Sequence, residues 1–155
     1  MIRFLSITLV LASVPAFAQQ KREVRIYNPP ALSKPTGYSH IAEVTSGKLV
    51  YIAGQIAVDK DGQLVGKDDF AKQVRQIFEN LSAATKAAGG SMADIIKLNY
   101  YIVDRIDRDQ LPALREIRGS YLNTQTPPAS TLLFVRGLAT PDYLIEIEAV
   151  AVVGK

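Results

Sequence analysis

Two carboxylates separated by a single residue are the strongest candidates for chemistry in this sequence. Glu146 and Glu148 interrupt the apolar segment at 143–153. Because side chains at i and i+2 of a β-strand point to the same face, the two carboxylates should lie side by side. A carboxylate is one of the side chains that can act as a general base. They could equally pair with cations of a neighbouring subunit or face a solvated symmetry axis, and both interpretations stay open.

Composition excludes most other chemistries. The 155 residues include no cysteine and one histidine, which rules out disulfides and thiolate chemistry and makes a structural zinc site very unfavourable. A Ser-His-Asp triad could use only His40, which we expect at the surface or at a strand edge. We therefore expect no metal and no cofactor. The net charge of +3 is small and dispersed, so the chain should not bind nucleic acid.

The segment TPPASTLLFVRG, residues 126–137, is a second candidate for a site. Two prolines precede the small residues Ala129, Ser130 and Thr131, which open an apolar strand. Small side chains at the mouth of a strand leave room for a ligand, so these residues should form the wall of a pocket. The first charge in the segment is Arg136. On a regular strand it points to the face opposite Ala129, because seven residues is an odd separation.

The N-terminal residues are typical of a secretory signal peptide. Arg3 precedes an apolar stretch, and Ala16-Phe17-Ala18 forms a small-x-small cleavage site. The mature protein should therefore be periplasmic or secreted, with no attachment to a membrane after cleavage. The predicted divisions are a signal peptide at 1–18, an extended segment with little structure of its own at 19–36, and one domain at 37–155.

Hydrophobic periodicity predicts an α+β fold for this domain. Apolar residues spaced by three or four predict one helix at 70–88 and another at 107–122. Alternating or β-branched segments predict strands at 40–45, 48–55, 94–103, 130–136 and 143–153. The Ser46-Gly47 turn predicts that the first two strands form a hairpin.

The last two strands are apolar on both faces, which has a consequence for assembly. In the final strand, Val150 and Val152 alternate with the apolar residues of the other face, and Leu133 does so in the strand before it. Two helices can cover only one face of a sheet of this size. An exposed apolar face would be a liability, so we expect other subunits to bury it.

Four motifs together resemble the RidA (YjgF) family of enamine/imine deaminases over residues 36–153. The resemblance implies a chorismate-mutase-like fold with a mixed sheet and two helices on one face. It also implies a homotrimer with ligand clefts between its subunits, and hydrolysis of reactive 2-imino acids to 2-keto acids. The motifs are YxxxxEV at 38–44, LVYIAGQI at 49–56, AAGGSMADIIKLNYYIVD at 87–104, and PPASTLLFV followed by LIEIEAVAVV at 127–153.

The resemblance also implies roles for individual residues. Tyr38 would line the cleft, Glu146 would activate water, and Thr131 would donate a hydrogen bond near the substrate. Gly54 is a further candidate for substrate binding, and as a glycine within a strand it should allow another backbone to approach closely. Active members hold the substrate carboxylate with an arginine, and the matching position here is Ala129.

Arg136 and Arg118 are the candidates for replacing the missing arginine. Two functions therefore remain possible from the sequence. The first is an imine/enamine deaminase that forms a homotrimer. The second is a trimer that binds a small molecule in its intersubunit clefts without turning it over.

Overall fold

The computed structural model describes residues 21–154, so the predicted signal peptide at 1–18 lies outside it. Within the described part, no helix is long and apolar enough to span a bilayer. This part forms an α+β domain with two α-helices and six strands. They are β1 (Glu23–Tyr27), β2 (Ile41–Ser46), β3 (Lys48–Gln55), α1 (Phe70–Ala87), β4 (Ile95–Val103), α2 (Leu111–Tyr121), β5 (Ala129–Val135) and β6 (Ile145–Val153).

The structure adds a strand to the N-terminal half and changes the partner of another. The extended segment at 19–36, expected to have little structure of its own, contains β1, which pairs antiparallel with β2. The expected hairpin between β2 and β3 is absent from the described chain, since β3 pairs instead with β6. Only Gly47 separates β2 from β3. One residue is too short for a two-residue hairpin turn, so the chain passes from a two-stranded sheet into a four-stranded one.

Helix α1 matches its predicted apolar face. Asp69 caps the N-terminus by accepting a hydrogen bond from the Lys72 amide at 3.0 Å, and Gly89 follows the helix with φ +89°. The ring of Phe78 stacks on Tyr121 of α2 with centroids 5.1 Å apart, so the two helices pack together. The buried apolar residues of α1 are Phe70, Val74, Ile77, Phe78 and Leu81.

The four-stranded sheet is mixed, in the order β3-β6-β4-β5. Strands β4 and β5 are parallel, and the other pairs are antiparallel. The helices cover one face, where Leu98, Ile102 and Ile147 are completely buried. The opposite face carries Glu146 and Glu148, and we call it the open face.

Gln73 of α1 fixes the start of β6 relative to the helix. Its fully buried side-chain amide donates to the carbonyls of Asp142 and Gly66 at 2.8 and 3.2 Å and accepts from the Leu144 amide at 2.9 Å. Buried backbone groups need such partners, because an unpaired one is costly. The side chain therefore holds Leu144, the residue just before β6 and two positions before Glu146.

Candidate active site on the open face

The open face brings polar side chains of two central strands together. In the register of β4 and β6, Asn99 is paired with Glu148 and Tyr101 with Glu146. Paired residues of neighbouring strands share a face of the sheet, so all four side chains lie on the side away from the helices. The predicted adjacency of the two glutamates is confirmed in geometry, and two residues of β4 are added to the cluster.

Glu148 is the hydrogen-bonded member of the glutamate pair. Its Oε2 accepts from Asn99 Nδ2 at 3.0 Å and from the Tyr101 hydroxyl at 3.1 Å. Because Glu148 accepts its proton and repels the phenolate, the pKa of Tyr101 is raised above its ordinary value of 10.0. The Tyr101 hydroxyl therefore remains a donor at neutral pH and holds Glu148 in place.

The carboxyl group of Glu146 lies over Gly54 of the neighbouring strand β3, in the space that a side chain at position 54 would occupy. A Cβ built on Gly54 would lie 2.7 Å from the carboxyl carbon of Glu146, so any larger residue would displace the carboxylate. The group that approaches Gly54 is therefore the Glu146 side chain, where a close approach by backbone was expected. Burial, and then the charge of Glu148, raise the pKa of the Glu146 carboxyl above its ordinary value of 4.5.

The Glu146–Glu148 coupling can be tested by titration. In Glu148→Gln, the pKa of Glu146 should fall but stay above 4.5, because the charge is removed while the burial remains. A carboxyl ¹³C NMR titration measures this shift. The matched control is Glu43→Gln, which removes an exposed carboxylate on β2 and should leave Glu146 unchanged. An equal pKa in wild type and Glu148→Gln would show that the two carboxylates are not coupled.

The predicted substrate-binding residues of β5 face the same side. Ala129 and Thr131 are paired with Lys97 and Asn99 of β4. Lys97 Nζ donates to Thr131 Oγ1 at 2.7 Å, which brings an ammonium group beside the neutral Ala129. Burial lowers the pKa of Lys97 below its ordinary value of 10.5. The open face therefore has one cation in addition to its two carboxylates.

A cavity of about 400 Å³ lies on this face and is open to solvent. Its polar lining consists of Lys97, Asn99 and Glu148, and its apolar lining includes Tyr51 and Val150. Tyr51 is 77% exposed in the single chain. The cavity thus combines fixed polar groups with uncovered apolar surface, which is typical of ligand sites and of interfaces.

Tyr38 lies apart from these residues. It lines a separate cavity of about 270 Å³ between α2 and the edge strand β5, on the helix side of the sheet. We call this cavity the α2 pocket. Ser130 also lines it, whereas its neighbours Ala129 and Thr131 share the open face. Within one chain, Tyr38 and Glu146 are therefore on opposite sides.

The two arginine candidates also separate in the structure. Arg136 follows the end of β5, is exposed, and lines neither of these cavities. Arg118 is half-buried and lines the α2 pocket with Tyr38. His40, expected at the surface or a strand edge, immediately precedes β2, and its Nε2 lies 2.9 Å from the Ser33 carbonyl oxygen.

The described residues contain no cluster of three or more histidine, cysteine, aspartate or glutamate side chains that could hold a metal ion. The side chains that the open face does present are two carboxylates, an ammonium group and a phenol, which can take part in acid–base and electrostatic chemistry. Sequence reasoning missed Lys97, Asn99 and Tyr101. Their signal was the alternation in IIKLNYYIV, where they occupy every second position of the strand.

Comparison with known proteins shows which family the chain resembles. The family model described as Endoribonuclease L-PSP, the RidA/YjgF family, matches residues 30–153. The chain belongs to this family. Within the curated relatives, a RutC family protein of Pyrococcus horikoshii is 39% identical over 120 residues, which cover 76% of this chain and 89% of that protein.

Solved structures of family members share the fold. The Rid family protein YyfB of Yersinia pestis, titled as a protein of unknown function, superposes with a TM-score of 0.77 at 35% identity, covering 84% of this chain and 98% of that one. RidA from the Antarctic bacterium Psychrobacter sp. PAMC 21119 gives 0.60 at 30% identity, with coverages of 83% and 98%. The resemblance in the motifs and the predicted fold class are both confirmed.

Proposed function

We propose that this protein hydrolyses small imines, and enamines after tautomerisation, to carbonyl compounds and ammonia. Membership in the RidA/YjgF family supports a function of this class. The observation that carries the proposal is the position of Glu146. Its carboxylate is partly desolvated over Gly54, and burial followed by the charge of Glu148 raises its pKa above 4.5, the direction that makes a carboxylate a stronger base.

The reaction needs only water and proton transfer. Water attacks the carbon of the C=N bond, the C–O bond forms, and the proton of the water passes to the Glu146 carboxylate. The nitrogen takes up that proton, which gives a carbinolamine. The proton of the new hydroxyl then passes to the nitrogen, the C–N bond breaks and ammonia leaves as the carbonyl forms. The sum is one imine and one water giving one carbonyl compound and one ammonia, so no oxidant or cofactor is consumed.

The proposed active protein is a homotrimer whose clefts between subunits complete the site. Leu49, Tyr51 and Leu133 on the open face are each about half or more exposed in the single chain, which supports burial by another copy. The cavity beside Lys97 and Glu148 is open on that side. A second subunit would exclude water from it, which strengthens the electrostatic interactions of its charged groups.

Substrate choice in this proposal depends on the cation near Ala129. Lys97 supplies a point charge there, whereas an arginine supplies two parallel hydrogen bonds to a carboxylate. The wild type should therefore hold a carboxylate-bearing imine weakly, or prefer imines without one. A second candidate, a trimer that binds a small molecule without turnover, is favoured by the absence of any charge on residue 129 itself.

Clearance of freshly generated 2-iminobutanoate and 2-iminopropanoate tests the proposal. An amino-acid oxidase produces the imines, and a semicarbazide trap reports what the protein leaves. We expect wild type to clear them and Ala129→Arg to lower the KM by roughly tenfold, the effect of one charge-assisted contact. The matched control is Ser130→Arg, whose added charge enters the α2 pocket on the other side of β5 and should not lower the KM. If neither wild type nor Ala129→Arg clears imine, the non-catalytic binding function is the correct one.

A further inference from the structure

The α2 pocket contains a buried hydroxyl whose proton has no acceptor. Tyr100 of β4 is 2% exposed, and no group of the described residues accepts a hydrogen bond from its hydroxyl. Burial raises the pKa of Tyr100 to about 12, although the charge of the neighbouring Arg118 guanidinium and a hydrogen bond from it oppose this. The hydroxyl is thus a proton donor at any physiological pH. Buried hydroxyls normally have partners, so this one points to an acceptor brought by a ligand.

Two arginines of α2 line the same pocket, one turn apart. Arg115 and Arg118 lie at i and i+3, which puts both guanidinium groups on one side of the helix. Neither forms an ion pair with a carboxylate of residues 21–154. Uncompensated guanidinium groups at a cavity wall attract an anion.

The backbone at Gly37 packs closely against the guanidinium group of Arg118. Gly37 has φ +73°, and a Cβ there would collide with the Arg118 guanidinium. The chain therefore runs directly against this side chain, which lines the pocket together with Tyr38 and Ser130. Such packing reduces the freedom that a long side chain must lose when it binds a ligand.

The remaining wall limits the size and polarity of the ligand. Leu111, Leu114 and Leu132 form an apolar side of the pocket. The volume of about 270 Å³ corresponds to roughly nine waters at the volume of liquid water. A ligand with an anionic head of two or three oxygens and a tail of a few carbons would use both walls.

We infer that the α2 pocket binds a small organic carboxylate with a short apolar tail. Its carboxylate would accept hydrogen bonds from Arg118 and the Tyr100 hydroxyl, with Arg115 adding charge, and its tail would contact the leucines. A guanidinium matches the planar carboxylate with two parallel hydrogen bonds. This site lies on the face of the sheet opposite Glu146, so it goes beyond the proposed hydrolysis and applies equally to a protein without turnover.

Calorimetric titration with butanoate tests the inference, and butanamide and inorganic phosphate serve as comparison ligands. Wild type should bind butanoate, bind butanamide at least tenfold more weakly because the charge is absent, and bind phosphate more weakly because the apolar wall is unused. Equal affinity for butanamide, tighter binding of phosphate, or no binding of butanoate at millimolar concentrations would each overturn it.

Variants locate the binding site. Arg118→Gln should weaken butanoate binding by about tenfold or more, and Tyr100→Phe by severalfold, since it removes one neutral donor and keeps the ring that packs in the core. The matched control Arg136→Gln removes an exposed arginine outside the pocket and should bind as wild type does. Glu146→Gln should also bind normally, so a failure of the proposed hydrolysis remains distinguishable. Unchanged affinity in both Arg118→Gln and Tyr100→Phe would overturn the inference.

Discussion

Glu146→Gln is expected to lower imine clearance by about a hundredfold or more and, at the same time, to raise the melting temperature of the protein. The glutamine keeps the size of the side chain over Gly54 but cannot accept a proton from water. A general base of this kind contributes about 10²–10⁴-fold to a reaction. The loss should appear in kcat, because the base acts on water and does not bind the substrate.

The stability gain has a defined dependence on pH. The folded-state pKa of Glu146 is raised above 4.5, so the folded protein loses stability as the pH rises through that pKa. Above both pKa values the carboxylate is charged in the folded and in the unfolded state, and only the folded state has the burial and the repulsion from Glu148. Glutamine removes both effects, so its advantage is present at pH 7 and disappears below the ordinary pKa, where Glu146 is protonated in both states.

Two measurements check this pair of effects. Imine clearance gives the activity, and thermal unfolding at pH 7 and near pH 4 gives the stability, with an expected gain of roughly 2 °C or more at pH 7 only. Glu43→Gln, on an exposed part of β2, should change neither quantity appreciably. Full activity in Glu146→Gln would remove this residue from the mechanism, and a lower melting temperature at pH 7 would show that the charged form is stabilised in the folded protein.

Leu49→Glu is expected to convert a trimer into monomers. Leu49 lies on β3 opposite Val152, on the same face as Tyr51, and 49% of it is exposed in the single chain. If other copies cover this face, the change buries an unpaired carboxylate at the interface. That penalty amounts to several kcal/mol per subunit, which is enough to dissociate an assembly of ordinary affinity at micromolar concentration.

Sedimentation equilibrium measures this directly. Wild type should sediment at about three times the mass of its chain, and Leu49→Glu at about one chain mass. Leu32→Glu is a closely matched control, because Leu32 is 52% exposed but lies in the loop between β1 and β2, away from the open face. It should remain a trimer. A monomeric wild type, or a trimeric Leu49→Glu, would contradict burial of the open face between subunits.

Helices and strands were predictable from the sequence where their side-chain periodicity lies within one continuous segment. The apolar face of α1 and the alternation in β6 follow from side-chain periods of 3.6 and 2, which depend only on local geometry. The pairing of β2 and β3 was not predictable in this way. Strand β3 pairs with β6, almost a hundred residues further along the chain, and alternation within a strand does not identify its partner.

The same difference between local spacing and long-range pairing applies to the candidate site. The common face of Glu146 and Glu148 followed from their spacing on one strand. The contact between Glu146 and Gly54 joins β6 to β3, and the ammonium of Lys97 reaches Thr131 from another strand, so both depend on sheet register. Tyr38 was assigned to the Glu146 cleft by resemblance. Within one chain it lies behind the sheet, because it alternates with Ser39, which bridges to Ala129.

The absence of a side chain at Gly54 also constrains how this site can change during evolution. While a glutamate at 146 lies across β3, a mutation of Gly54 displaces the carboxylate in a single step. If residue 146 is shortened first, position 54 becomes free to vary. Lineages that abandon the carboxylate should therefore accumulate substitutions in that order, and a relative with a large residue at 54 should have already lost its glutamate at 146.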